Sequence, residues 1–168
     1  MVEANGYSLW IVPEGEVYEK MSEIISKFSK RLSTPVFSPH VTLVGEVEGT
    51  EEEVISKTEK LASMIKPFEI KLSGVDKLDH FFRCIFVHAE KTPELMKANE
   101  YAKEIFGMSF EYMPHLSLVY RNLSDEQKEE IISEIGKIDK SFLVNSIHVV
   151  LTNGQTEDWK KVRKVFIK

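Results

Sequence analysis

Cysteine is all but missing from this chain: Cys84 is the one thiol in 168 residues. No intramolecular disulfide can form, so a reducing compartment, the cytoplasm, is the simplest setting, and Cys84 reads as a small buried hydrophobe. Long apolar runs are missing too. Residues 1–5 lack the cationic region of a signal peptide, the run from Leu9 to Val12 stops at Pro13, and nothing approaches the roughly 20 apolar residues that cross a bilayer. No membrane association is expected. With six prolines and eight glycines, neither a linker nor a low-complexity segment divides the chain. A basic excess is also absent: 22 Lys and Arg stand against 27 Asp and Glu, a net charge of −5. Affinity for long nucleic acid comes from neutralising many phosphates, so such a partner is not expected, whereas a small anionic ligand in a local pocket remains compatible. There is no HExxH motif and no paired cysteine, so neither a metal nor another cofactor is expected, and no Gly-x-Ser-x-Gly elbow marks a serine hydrolase.

What is present is 42% hydrophobic residues, enough for one sizeable core. Alternation over 7–12 predicts a strand, and Val17, Met21, Ile24, Ile25, Phe28 and Leu32 fall on one face of a helix over 14–33. A strand is expected over 40–47. Thr50 with Glu53 forms a capping-box pair ahead of a second helix reaching about residue 66, and strands over 68–75 and 83–88 follow. Thr92-Pro93 opens a third helix that Gly107 is placed to end, before a strand over 115–119. Ser124 with Gln127 repeats the capping box ahead of Ile131, Ile132, Ile135 and Ile138. Strands over 142–151 and 162–167, joined by a turn at Asn153-Gly154, close the chain.

The order strand, helix, strand, helix, strand over 7–75 recurs over 82–150, displaced by 75 residues. This internal duplication predicts a single 1–168 domain of α+β class, in which two pseudo-symmetric lobes of antiparallel or mixed sheet, flanked by helices, meet at a central cleft. A monomer is expected.

The duplication aligns two short motifs, Pro39-His40-Val41-Thr42-Leu43 and Pro114-His115-Leu116-Ser117-Leu118. On a strand, residues i and i+2 share a face, so each copy presents an imidazole beside a hydroxyl. Imidazole serves as acid or base near neutral pH, and a pair can hold one protonated and one neutral ring. In-line phosphoester hydrolysis needs that combination. One ring takes a proton from water, the other gives one to the departing oxygen, and Thr42 and Ser117 can donate hydrogen bonds to the phosphate. A lone His-x-Thr-Leu would be unremarkable; two copies at equivalent places in a repeat point to catalysis. His80, His88 and His148 lack that context and read as structural or solvent-facing.

These motifs resemble the paired motifs of the 2H phosphoesterases. The run from Tyr7 to Pro13 and the extension of the second motif to Val119-Tyr120 look like the cyclic phosphodiesterase branch of plants and yeasts. The resemblance implies metal-independent opening of ADP-ribose 1″,2″-cyclic phosphate to the 1″-phosphate and of nucleoside 2′,3′-cyclic phosphates to 2′-phosphates. It also implies His115 as the base, His40 as the acid, Thr42 and Ser117 as phosphate holders, and Trp10 and Tyr120 as a cleft aromatic and a ligand-facing hydroxyl. A regular strand would turn Tyr120 away from Ser117, so it enters the cleft only if the strand ends or bulges first. Trp10 and Phe82 either pack in the core or stack on ligand. Two other readings use the same residues. One is an RNA-end phosphoesterase acting on 2′,3′-cyclic termini or 2′-5′ links, for which Lys27, Lys30, Arg31, Arg121, Lys160, Lys161, Arg163 and Lys164 are scattered candidates for a basic rim. The other is a non-catalytic module that binds cyclic phosphates.

Overall fold

The expected helices form where their caps are. The computed structural model describes residues 5–168; residues 1–4, part of the segment read as lacking a leader, lie outside the described residues. Helix α1 (Gly15–Leu32) buries Val17, Met21, Ile25 and Phe28 along one stripe. Helices α2 (Glu51–Met64) and α4 (Asp125–Ile135) each start from the capping box read in the sequence, Thr50 with Glu53 and Ser124 with Gln127. Such reciprocal bonds satisfy backbone N–H groups that a helix start leaves unpaired. Helix α3 (Pro93–Phe106) starts at Thr92 and ends at Gly107 in the left-handed conformation, φ 64°. One boundary differs: α4 stops at Ile135, with Gly136 at φ 74°, and the buried Ile138 lies beyond it.

The strands are β1 (Tyr7–Ile11), β2 (Val41–Val47), β3 (Phe68–Lys77), β4 (Ile85–Ala89), β5 (His115–Val119), β6 (Asp139–Val144), β7 (Ser146–Leu151) and β8 (Lys160–Phe166). They form one sheet in the order β6-β3-β4-β5-β2-β1-β7-β8 with every ladder antiparallel. The fold is α+β, a curled antiparallel sheet with four helices. The single strand expected over 142–151 is two, broken at Asn145, because its first part pairs with β3 and its second with β1 at distant places in the sheet. The strand expected from Arg83 begins at Ile85. Residues 81–83 form a short 3₁₀ turn instead, held by the side chain of His80, which accepts from the N–H of Phe82 at 3.2 Å.

The repeats exchange parts. β3 pairs with β4, and β7 pairs with β1, so the third strand of each repeat lies beside the first strand of the other. Helices follow: α1 packs on β5, and α3 packs on β2. A single register pair, Val41 with Leu116, joins β2 to β5 and marks the pseudo-two-fold axis. Around it the repeats match to the residue. Trp10 pairs with Thr42 and Leu9 with Val44, leaving Leu43 extra; Phe86 pairs with Ser117 and Ile85 with Val119, leaving Leu118 extra. Both motifs therefore end in a β-bulge at their leucine, and a bulge re-aims the side chains that follow it.

Candidate active site

Val41 opposite Leu116 in an antiparallel pair puts His40 across from Ser117 and Thr42 across from His115 when the register is extended by one residue each way. The two imidazoles and two hydroxyls thus occupy the corners of one patch on one face of the sheet. All four line a cavity of about 440 Å³. Trp10 and Tyr120 line it as well, so the structure brings together all six residues singled out in the sequence. Tyr120 gets there because the extra residue at Leu118 changes the strand's alternation and β5 ends at Val119.

Each histidine is oriented in the same way. His40 Nδ1 donates to the Ser38 carbonyl at 2.7 Å, and His115 Nδ1 to the Met113 carbonyl at 2.8 Å. A carbonyl only accepts, so it fixes the proton of the neutral ring on Nδ1 and leaves the Nε2 lone pair for the ligand. Aromatic rings hold the imidazoles from the side. Trp10 stacks on His40 at 3.5 Å and 6°, and its pseudo-symmetric counterpart Phe86 meets His115 edge-on at 5.3 Å. One face of Trp10 is therefore taken by a histidine, and this tryptophan orients His40. The two hydroxyls differ. Ser117 Oγ donates to the Phe82 carbonyl at 2.7 Å, so it must rotate before donating to a phosphate. Tyr120 lies within hydrogen-bond reach of Ser117, and burial pushes its phenol pKa up, keeping it a neutral donor.

Burial lowers the charge that the cleft histidines carry. It lowers the His40 pKa to about 3, against the pull of the Ser38 carbonyl and with a smaller push from His115. His115 is lowered too, by burial first, with Arg83, His88 and His80 adding like-charge repulsion against the Met113 carbonyl. In both rings the downward shift favours the neutral form near pH 7.

Sequence reasoning missed several parts. Trp159 sits on the connection between β7 and β8, which is a longer loop with its own 3₁₀ turn rather than a tight turn at Asn153-Gly154. It meets Trp10 at 5.8 Å, Phe82 at 5.7 Å and Tyr120 at 6.0 Å, closing one wall of the cavity, and Phe82 is itself part of that wall. His80 and Arg83, placed by the 3₁₀ turn, also line it. Tyr112 donates its hydroxyl to the Thr42 carbonyl at 2.8 Å, and Asn99 Nδ2 donates to the Leu43 carbonyl at 2.9 Å, so the second repeat braces the first motif strand. No periodicity announces such contacts. Of the remaining histidines, His88 bonds Asp76 at 2.8 Å, and His148 lines a neighbouring cavity beyond Trp10. Among the described residues, no group of three or more His, Cys, Asp or Glu side chains is placed to hold a metal ion, and no helix is long and apolar enough to cross a membrane.

A family model described as cyclic phosphodiesterase-like protein matches residues 5–167. The chain belongs to that family. It is therefore a phosphodiesterase enzyme of the 2H phosphoesterase type. It is similar to the cyclic phosphodiesterase of Arabidopsis thaliana, 29% identical over 96% of this chain and 94% of that protein. It is also similar to the 2′,3′-cyclic-nucleotide 3′-phosphodiesterase of Yarrowia lipolytica, 27% identical over 79% of this chain and 64% of that one. Among solved structures, E. coli LigT without ligand shares the fold at a TM-score of 0.67 and 14% identity, covering 98% of each chain.

Proposed function

We propose that the protein hydrolyses small cyclic phosphodiesters, ADP-ribose 1″,2″-cyclic phosphate and nucleoside 2′,3′-cyclic phosphates, by general acid and base catalysis through His40 and His115. The observation that carries this reading is the pair of matching Nδ1 anchors, which leaves two Nε2 atoms for one cavity. His115 takes a proton from the attacking water as the new P–O bond forms. The sugar oxygen departs on the opposite side and takes a proton from His40. Arg83, a fixed positive charge that opposes protonation of His115, favours the neutral, basic state of that ring. The π face of Trp10 favours a cation on His40. Burial works against that cation, so the proton must be held with the help of the substrate's negative charge. Thr42 and, after rotation, Ser117 hold the non-bridging oxygens, with Tyr120 as a third donor.

The electrostatics give a signed pH expectation. In the free enzyme both imidazole pKa values are lowered, so the singly protonated pair becomes scarce as pH rises, and kcat/KM falls on a basic limb below pH 6.5, the ordinary imidazole value. Bound phosphodiester raises the pKa of the acid by about 1–3 units, as an adjacent opposite charge does. The basic limb of kcat should therefore lie at higher pH than that of kcat/KM. Coincident limbs would remove the coupling between substrate charge and protonation.

A phosphorus NMR assay of ADP-ribose 1″,2″-cyclic phosphate beside the four nucleoside 2′,3′-cyclic phosphates tests the activity and identifies the product isomer. The 1″-phosphate and 2′-phosphates are the expected products, and no turnover of any of the five would reject the reading. An RNA-end substrate is less favoured, because five of the eight scattered basic residues are engaged by groups of the protein itself. Lys27 and Arg31 pair with Glu134, Arg121 bonds the Leu32 carbonyl, Arg163 pairs with Glu59, and Lys164 pairs with Glu14.

A further inference from the structure

Among the described residues, Lys128 is the one Lys, Arg, Asp or Glu that the fold buries: it is 3% exposed. Taking an ammonium out of water costs free energy unless a partner offsets it. Lys128 has no carboxylate partner among the described residues, and Asp125 and Glu129 of its own helix pair with Lys77, at 3.3 and 2.9 Å. Its Nζ donates instead to the carbonyl of Leu78 at 3.0 Å. A methionine would fill a similar volume without burying a charge. Packing alone therefore leaves the lysine unexplained, and the bond to Leu78 is what it adds.

That carbonyl stands at the base of the segment that carries one wall of the catalytic cavity. The Leu78 N–H donates to the Arg83 carbonyl at 3.1 Å and closes 78–83 into a loop, whose 3₁₀ turn presents His80, Phe82 and Arg83 to the cavity. The two ends of this loop are held differently. Phe81 and Phe82 pack on the core beside Tyr120, and the Phe82 carbonyl accepts from Ser117. Leu78, Asp79 and His80 are exposed, Leu78 at 40%, so burial does little to fix that end. The Lys128 bond ties it to α4.

Building on the proposed hydrolysis, we infer that Lys128 is a positioning residue of the active site, whose buried ammonium holds the Leu78 carbonyl and keeps the wall of His80, Phe82 and Arg83 ordered before substrate arrives. The reacting groups are carried by β2 and β5, and Ser117 turns away from the Phe82 carbonyl to donate to phosphate. Without the tie, substrate has to order the wall as it binds, which weakens binding and spares the chemical step.

The test compares Lys128→Met, Lys128→Gln and Lys128→Arg with the wild type on adenosine 2′,3′-cyclic phosphate. Lys128→Met should melt within about 4 °C of the wild type. It should raise KM about tenfold and change kcat by less than about twofold. Lys128→Arg keeps a cationic donor and should recover much of the lost affinity. An unchanged KM would overturn the inference, as would a loss confined to kcat, or activity lost in step with melting temperature. Should Lys128→Met not fold, Lys128→Gln, a shorter and uncharged donor, is read in the same way, and if neither folds Lys128 is a stability residue and the inference fails. If the wild type does not open the substrate, the proposed hydrolysis fails, and amide hydrogen exchange decides. Faster exchange at Leu78 and Arg83 in Lys128→Met, with the β5 amides still protected, upholds the tie, and unchanged exchange at both rejects it.

Discussion

His40→Ala and His115→Ala are each expected to lower kcat on a cyclic phosphate by about 10²–10⁴-fold, the scale of one positioned proton transfer. In the proposed mechanism the acid and the base work in one transition state, so the double variant should be far less impaired than the product of the two single effects. Both rings also pack, His40 against Trp10 and His115 against Phe86, and alanine removes that packing. His40→Gln and His115→Gln keep a polar group of similar bulk and separate chemistry from folding. They should melt close to the wild type while showing the same collapse in kcat. Steady-state rates with thermal melts on all five variants make the check, and any single variant that retains more than about one tenth of wild-type kcat defeats the paired mechanism.

The second large effect is on stability. Leu116 is fully buried and belongs to the single pair that joins β2 to β5. Truncating a buried leucine removes its transfer free energy and leaves a cavity, so Leu116→Ala should destabilise the protein by about 2–5 kcal/mol. Urea unfolding reads this directly. Leu143→Ala, at a site 60% exposed, should change stability by less than about 0.5 kcal/mol. Because His115 and Ser117 flank Leu116, the folded fraction of the variant should also show lowered kcat. A loss below about 1 kcal/mol would mean that the junction relaxes around the missing atoms.

How much of this could be read from residues alone divides along physical lines. His40, Thr42, His115 and Ser117 were legible because strand alternation is local and the repeat doubled the signal. Capping boxes at Thr50 and Ser124 were legible for the same reason: donor and acceptor lie three residues apart. Trp159, Arg83 and Tyr112 were not, since each reaches the site from a loop or turn whose path is set by distant packing. The break at Asn145 was hidden inside an unbroken β-like run, because the switch of partners from β3 to β1 leaves no mark on composition. The bulges at Leu43 and Leu118 show only in the pairing registers.

The exchange of third strands between the repeats bears on what a half-length chain could do. Cut between β3 and β4, the N-terminal piece would keep β1 paired with β2 but lose β7 from the other side of β1, and its β3 would have no strand beside it. Neither fragment could close its own hydrogen-bonding edges, yet each carries the edge the other lacks. Two such peptides should therefore reassemble by complementation, and an ancestor of one repeat would have met the same demand as a symmetric homodimer swapping that strand, with one imidazole donated by each copy.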